Sequence, residues 1–245
     1  MKNLLLKLSI GIIMLISGCA AQAQERVSTA DLDVEGDVQT WYDNQVGKKN
    51  TVLQTGGLHK TERKASVSHP YFKVISWVDG NLKYRNQEFS QVPLIYDINK
   101  DILITKNTLD IRFTSEPLEL IKNHVSSFTL SGAVFEFFDE DIGGLGEGFF
   151  EVMYRGENLE LLAKRIKIVT INGSGSSVYE EAPRYFIRIN GEIRKVQRRS
   201  NIIREFPEHK KEIRTFARKN RIQIIKPETD YQFVKLMEFC DNLTL

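Results

Sequence analysis

The sequence predicts an α+β chain that is mostly β: a curled antiparallel meander sheet (half-barrel or barrel) with C-terminal helices. Three observations carry this. Residues 77–104 hold three extended runs joined by turn chemistry at Asp79-Gly80, near 86–90 and at 97–101, and links that short can only reverse the chain. Roughly ten such runs follow one another from Pro70 to Val196 with almost no helical spacing between them, which argues against βαβ units. After Arg199 the apolar period changes to three and four residues, the mark of helices. A sheet of that many strands curls.

The chain opens on an export signal. Lys2 and Lys7 flank an apolar run over 4–16 that is too short to span a bilayer comfortably. Two cleavage readings compete. Ile16-Ser17-Gly18-Cys19 fits a lipobox ending at Gly18, which would leave Cys19 carrying lipid. Ala21-Gln22-Ala23 fits the small-x-small pattern of ordinary signal peptidase, giving a signal peptide over 1–23. Both readings predict export, to the periplasm, the outer membrane or the cell exterior. Residues 24–37 are polar and weakly patterned, a flexible segment. Residues 38–245 then form a single β-rich domain, with helices from about 200 to 243.

Within that domain, residues 41–58 predict an edge strand or a short helix, and 59–68 a charged loop. Tyr71, Phe72, Val74, Ile75 and Trp77 predict a strand that turns at Asp79-Gly80 into Leu82, Lys83 and Tyr84. Strands follow at 92–96, 102–105, 109–113, 125–130 and 134–138. Gly143, Gly144 and Gly146 predict a bend before a strand over 148–154. One long run over 159–171 ends in a Gly/Ser-rich tip at 172–177. Asn190-Gly191 predicts a type I′ hairpin between 185–189 and 192–196, because that turn needs positive φ twice. Ser200 is the expected N-cap of a first helix with Ile202, Ile203 and Phe206. Pro207 suits the first turn of a second, carrying Ile213, Phe216 and Ala217, and Pro227 opens a last one with Phe233, Leu236, Met237, Cys240 and Leu243 on one side.

Composition bounds the function. With 41% hydrophobic and 27% charged residues, global disorder is disfavoured. Cys19 and Cys240 are the only cysteines, so no intrachain disulfide is open to the mature protein, and Cys240 on its apolar stripe predicts a buried, inert thiol. His59, His69, His124 and His209 show no metal-ligand spacing, so no metal site is expected. Asp139, Asp141, Gly144 and Glu147 resemble part of a calcium loop, but Gly143 and Phe150 stand where ligands are needed, leaving a solvated acidic turn. Neither the glycines at 144, 146 and 148 nor the run at 173–176 has the strand-to-helix setting of a phosphate cradle or a nucleophile elbow. No catalytic residue and no cofactor are expected. An enzyme reading would have only His69 or the acids of 139–147 to use.

The net charge of +2 hides an asymmetry: residues 184–221 hold thirteen Lys/Arg against four Glu. Lys210, Lys211, Arg214, Arg218, Lys219 and Arg221 are therefore candidate contacts to an anionic surface, set against the plainer reading that a helix needs a wet face. The partner would be an envelope protein or an anionic lipid, with membrane attachment through lipid on Cys19. Nucleic acid is disfavoured by export and by sparse exposed aromatics. The expectation is an exported, non-enzymatic binding or scaffolding protein. The alternative is a carrier of a lipid or other apolar ligand, motivated by Phe72, Trp77, Tyr84, Phe89, Tyr96, Phe113 and Phe128 in the strands, against ordinary core packing.

Ser68-His69-Pro70-Tyr71-Phe72, Val92-Pro93-Leu94-Ile95-Tyr96-Asp97, Gly148-Phe149-Phe150-Glu151-Val152-Met153-Tyr154 and the basic helix at 210–220 resemble a family of uncharacterised exported proteins from Bacteroidetes-type bacteria, over about residues 67–242. Ser68 departs from the glycine expected before His-Pro. The resemblance implies export and brings no activity or site.

Overall fold

Strands form where apolar and polar side chains alternate. The computed structural model describes residues 53, 56–60, 66–106, 117–224 and 227–243, all within one compact unit, Tyr42–Leu245. Its strands are β1 (Gly57–Leu58), β2 (Val78–Tyr84), β3 (Gln87–Asp97), β4 (Ile102–Thr105), β5 (Leu118–Glu119), β6 (Val125–Leu130) and β7 (Ala133–Phe138). They continue as β8 (Gly148–Arg155), β9 (Leu159–Lys164), β10 (Lys167–Ile171), β11 (Ser177–Glu181), β12 (Arg184–Ile189) and β13 (Glu192–Val196). Three helices close the chain: α1 (Arg199–Glu205), α2 (Lys210–Lys219) and α3 (Asp230–Asp241). The predicted export signal, Cys19, the segment over 24–37 and the predicted strand at 109–113 lie outside the described residues.

Eleven strands make one sheet in the order β1-β5-β4-β3-β2-β6-β7-β8-β9-β12-β13, with β10 and β11 in a separate ribbon. Every strand pairing is antiparallel. The protein is thus mostly β, an antiparallel meander with C-terminal helices. The meander leaves sequential order where β1 pairs with β5, where the 3-10 turn Lys122–His124 returns the chain from β5 to place β6 beside β2, and where β12 follows β9 past the β10–β11 ribbon.

The sheet curls without closing. Strands β3, β2, β6, β7 and β8 lie between β4 and β9, so a flat sheet would hold the two ~29 Å apart. Yet Asp101, in the turn from β3 to β4, sits 2.7 Å from Lys164 Nζ at the end of β9. Asn99 Nδ2 in the same turn donates to the Lys167 carbonyl of β10 at 2.9 Å. The turn therefore bridges the mouth of the curl.

Inside the curl the aromatics fill the space with one another. Phe128 stacks on Phe135 at 4.8 Å, and Tyr96 meets Phe128, Phe135 and Phe149 edge-on at 5.3, 5.1 and 5.8 Å. Such pairs add ~0.5–1.5 kcal/mol each beyond area burial. Outside the curl, α1, α2 and α3 cover β9, β12 and β13 through Ile202, Ile213, Ala217, Phe233, Leu236 and Met237.

Several elements differ from the sequence prediction. Asp79-Gly80 is not a turn but the interior of β2. Gly80 is needed there because a Cβ would run into the Thr129 carbonyl of β6, and the sheet bulges between Gly80 and Leu82. The reversal falls at Arg85-Asn86, both with positive φ, as a type I′ turn requires. Residues 71–77 are not a strand; only Tyr71 bridges to Asp97, and Lys73 takes φ 53°. The run over 159–171 breaks after Lys164, where buried Arg165 pairs with Glu151 and Asp230 and β10 leaves the main sheet. The N-cap of α1 is Arg198 instead of Ser200, because the Asn201 side chain reaches back to accept the Arg198 N–H at 3.0 Å. The first turn of α2 starts beyond Pro207, with His209 as N-cap, whereas Asn190-Gly191 turns as predicted, with φ of 51° and 80°.

Candidate anion-binding groove

The helices are fixed to the sheet before they can present a site. Asp230, in the first turn of α3, accepts the Tyr185 hydroxyl at 2.6 Å and pairs with Arg165 Nη2 at 2.7 Å. At the other end of α3, the Asp241 carboxylate accepts the backbone N–H groups of Glu157 and Asn158 at 3.0 and 2.9 Å and the Tyr154 hydroxyl at 3.0 Å. Phe239 of α3 stacks on Phe216 of α2 at 4.0 Å. Ile213 and Ala217 point α2 inward, which leaves Lys210, Lys211, Arg214, Arg218 and Lys219 exposed.

Along that exposed side runs a groove of about 910 Å³ between α1 and α2. Arg198, Arg199, Arg214, Arg218 and Arg221 line it, with Ile203, Ala217 and Ile222 as its apolar part, and no acidic residue lines it. Of the predicted surface contacts, Arg214, Arg218 and Arg221 meet here; Lys210, Lys211 and Lys219 do not line it. Arg198 and Arg199 were not predicted as contacts, since nothing local marks them as neighbours of α2.

Two other cations of the basic region are already paired. Arg188 pairs with Glu160 at 2.7 Å, and Arg194 pairs with Glu192 and Glu205. Among the described residues, none of the five groove arginines lies within ion-pair distance of a carboxylate; Arg199 Nη1 reaches only the Ile222 carbonyl at 3.3 Å. Five like charges gathered without counter-charge repel, and an anion relieves that repulsion with the bidentate geometry guanidinium offers.

The end of α2 shows a further cost accepted at this place. Ile222 N–H bonds to the Ala217 carbonyl at 2.9 Å and Arg221 N–H to the Arg218 carbonyl at 3.1 Å, the paired bonds of a Schellman motif. Its left-handed position, usually glycine, is Arg221 at φ 50°. A side chain that glycine would spare the backbone is thereby placed on the groove.

The other candidates fall elsewhere. Asp141 Oδ1 accepts the Gly146 N–H at 2.7 Å inside its own bend. His69 lines a separate small pocket with His59, and no residue of 139–147 lines it. Among the described residues no group of three or more His, Cys, Asp or Glu is placed to hold a metal ion. Cys240 is buried, and burial followed by the Asp241 charge pushes its thiol up to about 12. No described helix is long and apolar enough to cross a membrane. Compared with protein-family models, curated proteins and solved structures, the chain matches none.

Proposed function

We propose that this is an exported cell-envelope protein with a binding or scaffolding role, and that its arginine groove takes the anionic head groups of a lipid surface. The supporting observation is the groove itself: five guanidinium groups without carboxylate partners among the described residues, beside an apolar floor of Ile203, Ala217 and Ile222. Guanidinium groups suit phosphate, and the floor suits the first carbons of an acyl chain. Lys210, Lys211 and Lys219 on the same helix add long-range attraction that salt screens. The compartment in this proposal rests on the N-terminal pattern read as an export signal and on the resemblance to exported proteins. The carrier alternative has less support, because Tyr96 and Phe128, two of the strand aromatics that motivate it, pack on each other and on Phe135.

Vesicle flotation tests the reading. The mature protein should float with vesicles of phosphatidylglycerol in phosphatidylcholine and stay behind with phosphatidylcholine alone. The Arg214→Glu/Arg218→Glu variant should lose that binding. Equal flotation with both vesicles, or a variant that floats like the parent, would overturn it.

A further inference from the structure

A second site lies at the mouth of the curl, away from the arginine groove. A pocket of about 180 Å³ is lined by His59, His69, Tyr71, Asp97 and Tyr179, with Lys60 and Lys100 also in its wall. That space holds about six waters, or one small ring. Its walls are built. Lys167 Nζ donates to the carbonyls of His69 and Tyr71 at 2.9 and 2.8 Å, and Ser68 Oγ accepts the Tyr179 N–H at 2.6 Å. Tyr71 bridges to Asp97 across the backbone, and the His69 ring stacks on the Tyr71 ring at 5.9 Å.

Three side chains of this pocket, His59, His69 and Asp97, each have a ring nitrogen or carboxylate oxygen to which no described group is hydrogen-bonded. Among the described residues, His69 Nδ1 is buried and has no hydrogen-bond partner. Asp97 is 3% exposed; its Oδ1 accepts the N–H groups of Asn99 and Lys100, both at 2.9 Å, while no described group donates to Oδ2. His59 Nδ1 is bonded to Glu119 Oε1 at 2.8 Å, which in the neutral ring makes Nδ1 the donor and leaves Nε2 an acceptor. Burial, then the nearby Lys167 charge, keeps the His69 ring below its ordinary pKa and so neutral at pH 7.

Lone pairs gathered in one small space call for a ligand rich in donors. An ammonium would meet the charges of Lys60, Lys100 and Lys167. A hydroxyl avoids that repulsion, and it can donate to or accept from His69 Nδ1 whichever tautomer is present. The rings of Tyr71 and Tyr179, both in the wall, offer apolar surface to the C–H groups of such a molecule. We infer that this pocket binds a neutral polyhydroxylated ring, a saccharide unit, through His59, His69 and Asp97, with Tyr71 and Tyr179 against its carbon skeleton.

The test follows the Cε1–H NMR signals of His59 and His69 in the full mature protein while glucose, galactose or N-acetylglucosamine is added, with ethanolamine and acetate as cationic and anionic probes. At least one sugar should shift both signals saturably, with Kd on the order of 1 mM. His69→Phe, which keeps the ring stack, and Asp97→Asn, which keeps the Oδ1 acceptor, should each weaken binding by about tenfold or more, a loss the size of one hydrogen bond. Arg214→Glu/Arg218→Glu should leave sugar binding unchanged, so failure here is separable from failure of the groove. No shift with any of the three sugars, a response to ethanolamine or acetate instead, or binding indifferent to both pocket variants would overturn the inference.

Discussion

Asp101 Oδ2 accepts from Lys164 Nζ at 2.7 Å, and this contact joins the β3–β4 turn to β9 across the four strands β2, β6, β7 and β8. Lys164 is 7% exposed, its Nζ also donates to the Phe149 carbonyl at 3.1 Å, and Lys122 reaches the same Asp101 oxygen at 2.6 Å. Tyr96 donates its hydroxyl to the other Asp101 oxygen at 2.5 Å. Gly148 leaves room for the pair; a Cβ there would collide with both Asp101 and Lys164. Asp101→Asn should cost about 3 kcal/mol in urea unfolding, because it strands a buried ammonium. Lys122→Ala, which removes the more exposed partner, should cost under about 1 kcal/mol. Asp101→Leu/Lys164→Met should recover most of the loss, since neither charge is then buried alone.

The same carboxylate sets an acid limit. Burial alone would raise the Asp101 pKa, but Lys164 and the hydrogen bonds from Lys122, Lys164 and Tyr96 outweigh it and hold the group below its ordinary value of 3.8. A depressed carboxyl stabilises the fold above its unfolded pKa and loses that contribution as pH falls through its folded pKa. Stability measured by urea midpoint should therefore drop below pH 3.8, and Asp101→Asn should flatten the drop. Asp97 runs the other way. Burial raises its pKa despite the N–H groups of Lys100 and Asn99, so its ionisation opposes folding at neutral pH. Asp97→Asn should raise the urea midpoint at pH 7 and leave it little changed well below pH 3.8.

Asp241 holds the end of α3 to the turn between β8 and β9. Removing it in Asp241→Ala leaves the Glu157 and Asn158 N–H groups and the Tyr154 hydroxyl without their acceptor, a loss of about 3 kcal/mol for bonds to a charged group. Cys240 beside it reports the event. In the parent, the thiol pushed up to about 12 should resist iodoacetamide at pH 8 except at the rate of global unfolding. In Asp241→Ala, labelling should outpace global unfolding. Equal rates in both proteins would show that the carboxylate does not dock the helix end.

Arg221 separates function from stability. Arg221→Gly removes the strained φ of 50° and should stabilise the fold by up to about 1 kcal/mol. It should also weaken flotation with phosphatidylglycerol vesicles. A glycine variant that is more stable and binds equally well would mean that the left-handed arginine serves no ligand.

Much of the architecture is legible in local sequence. The short apolar runs at 125–130 and 134–138, Asn190-Gly191 and the three- and four-residue stripe at Ile213, Phe216 and Ala217 each fix an element from neighbouring residues alone. Asp79-Gly80 misleads because the glycine answers a steric demand from Thr129 of another strand. The single strand expected over 159–171 fails for a similar reason: buried Arg165 is held by Glu151 and Asp230, distant in sequence. Half of the groove is visible as the basic face of α2. The other half, Arg198 and Arg199, arrives only when α1 packs beside it. Likewise His59 and Glu119, or Asp101 and Lys164, carry no sequence signal that they will meet.

The arginine groove carries the central claim, and the arginine side-chain Nε–H signals of ¹⁵N-labelled mature protein test it most directly. On addition of a short-chain phosphatidylglycerol, the signals of Arg214, Arg218 and Arg221 should shift together and saturate, and raising the salt should reverse the shift. Unmoved groove signals, or shifts confined to Arg188 and Arg194, whose charges are already paired, would contradict the account.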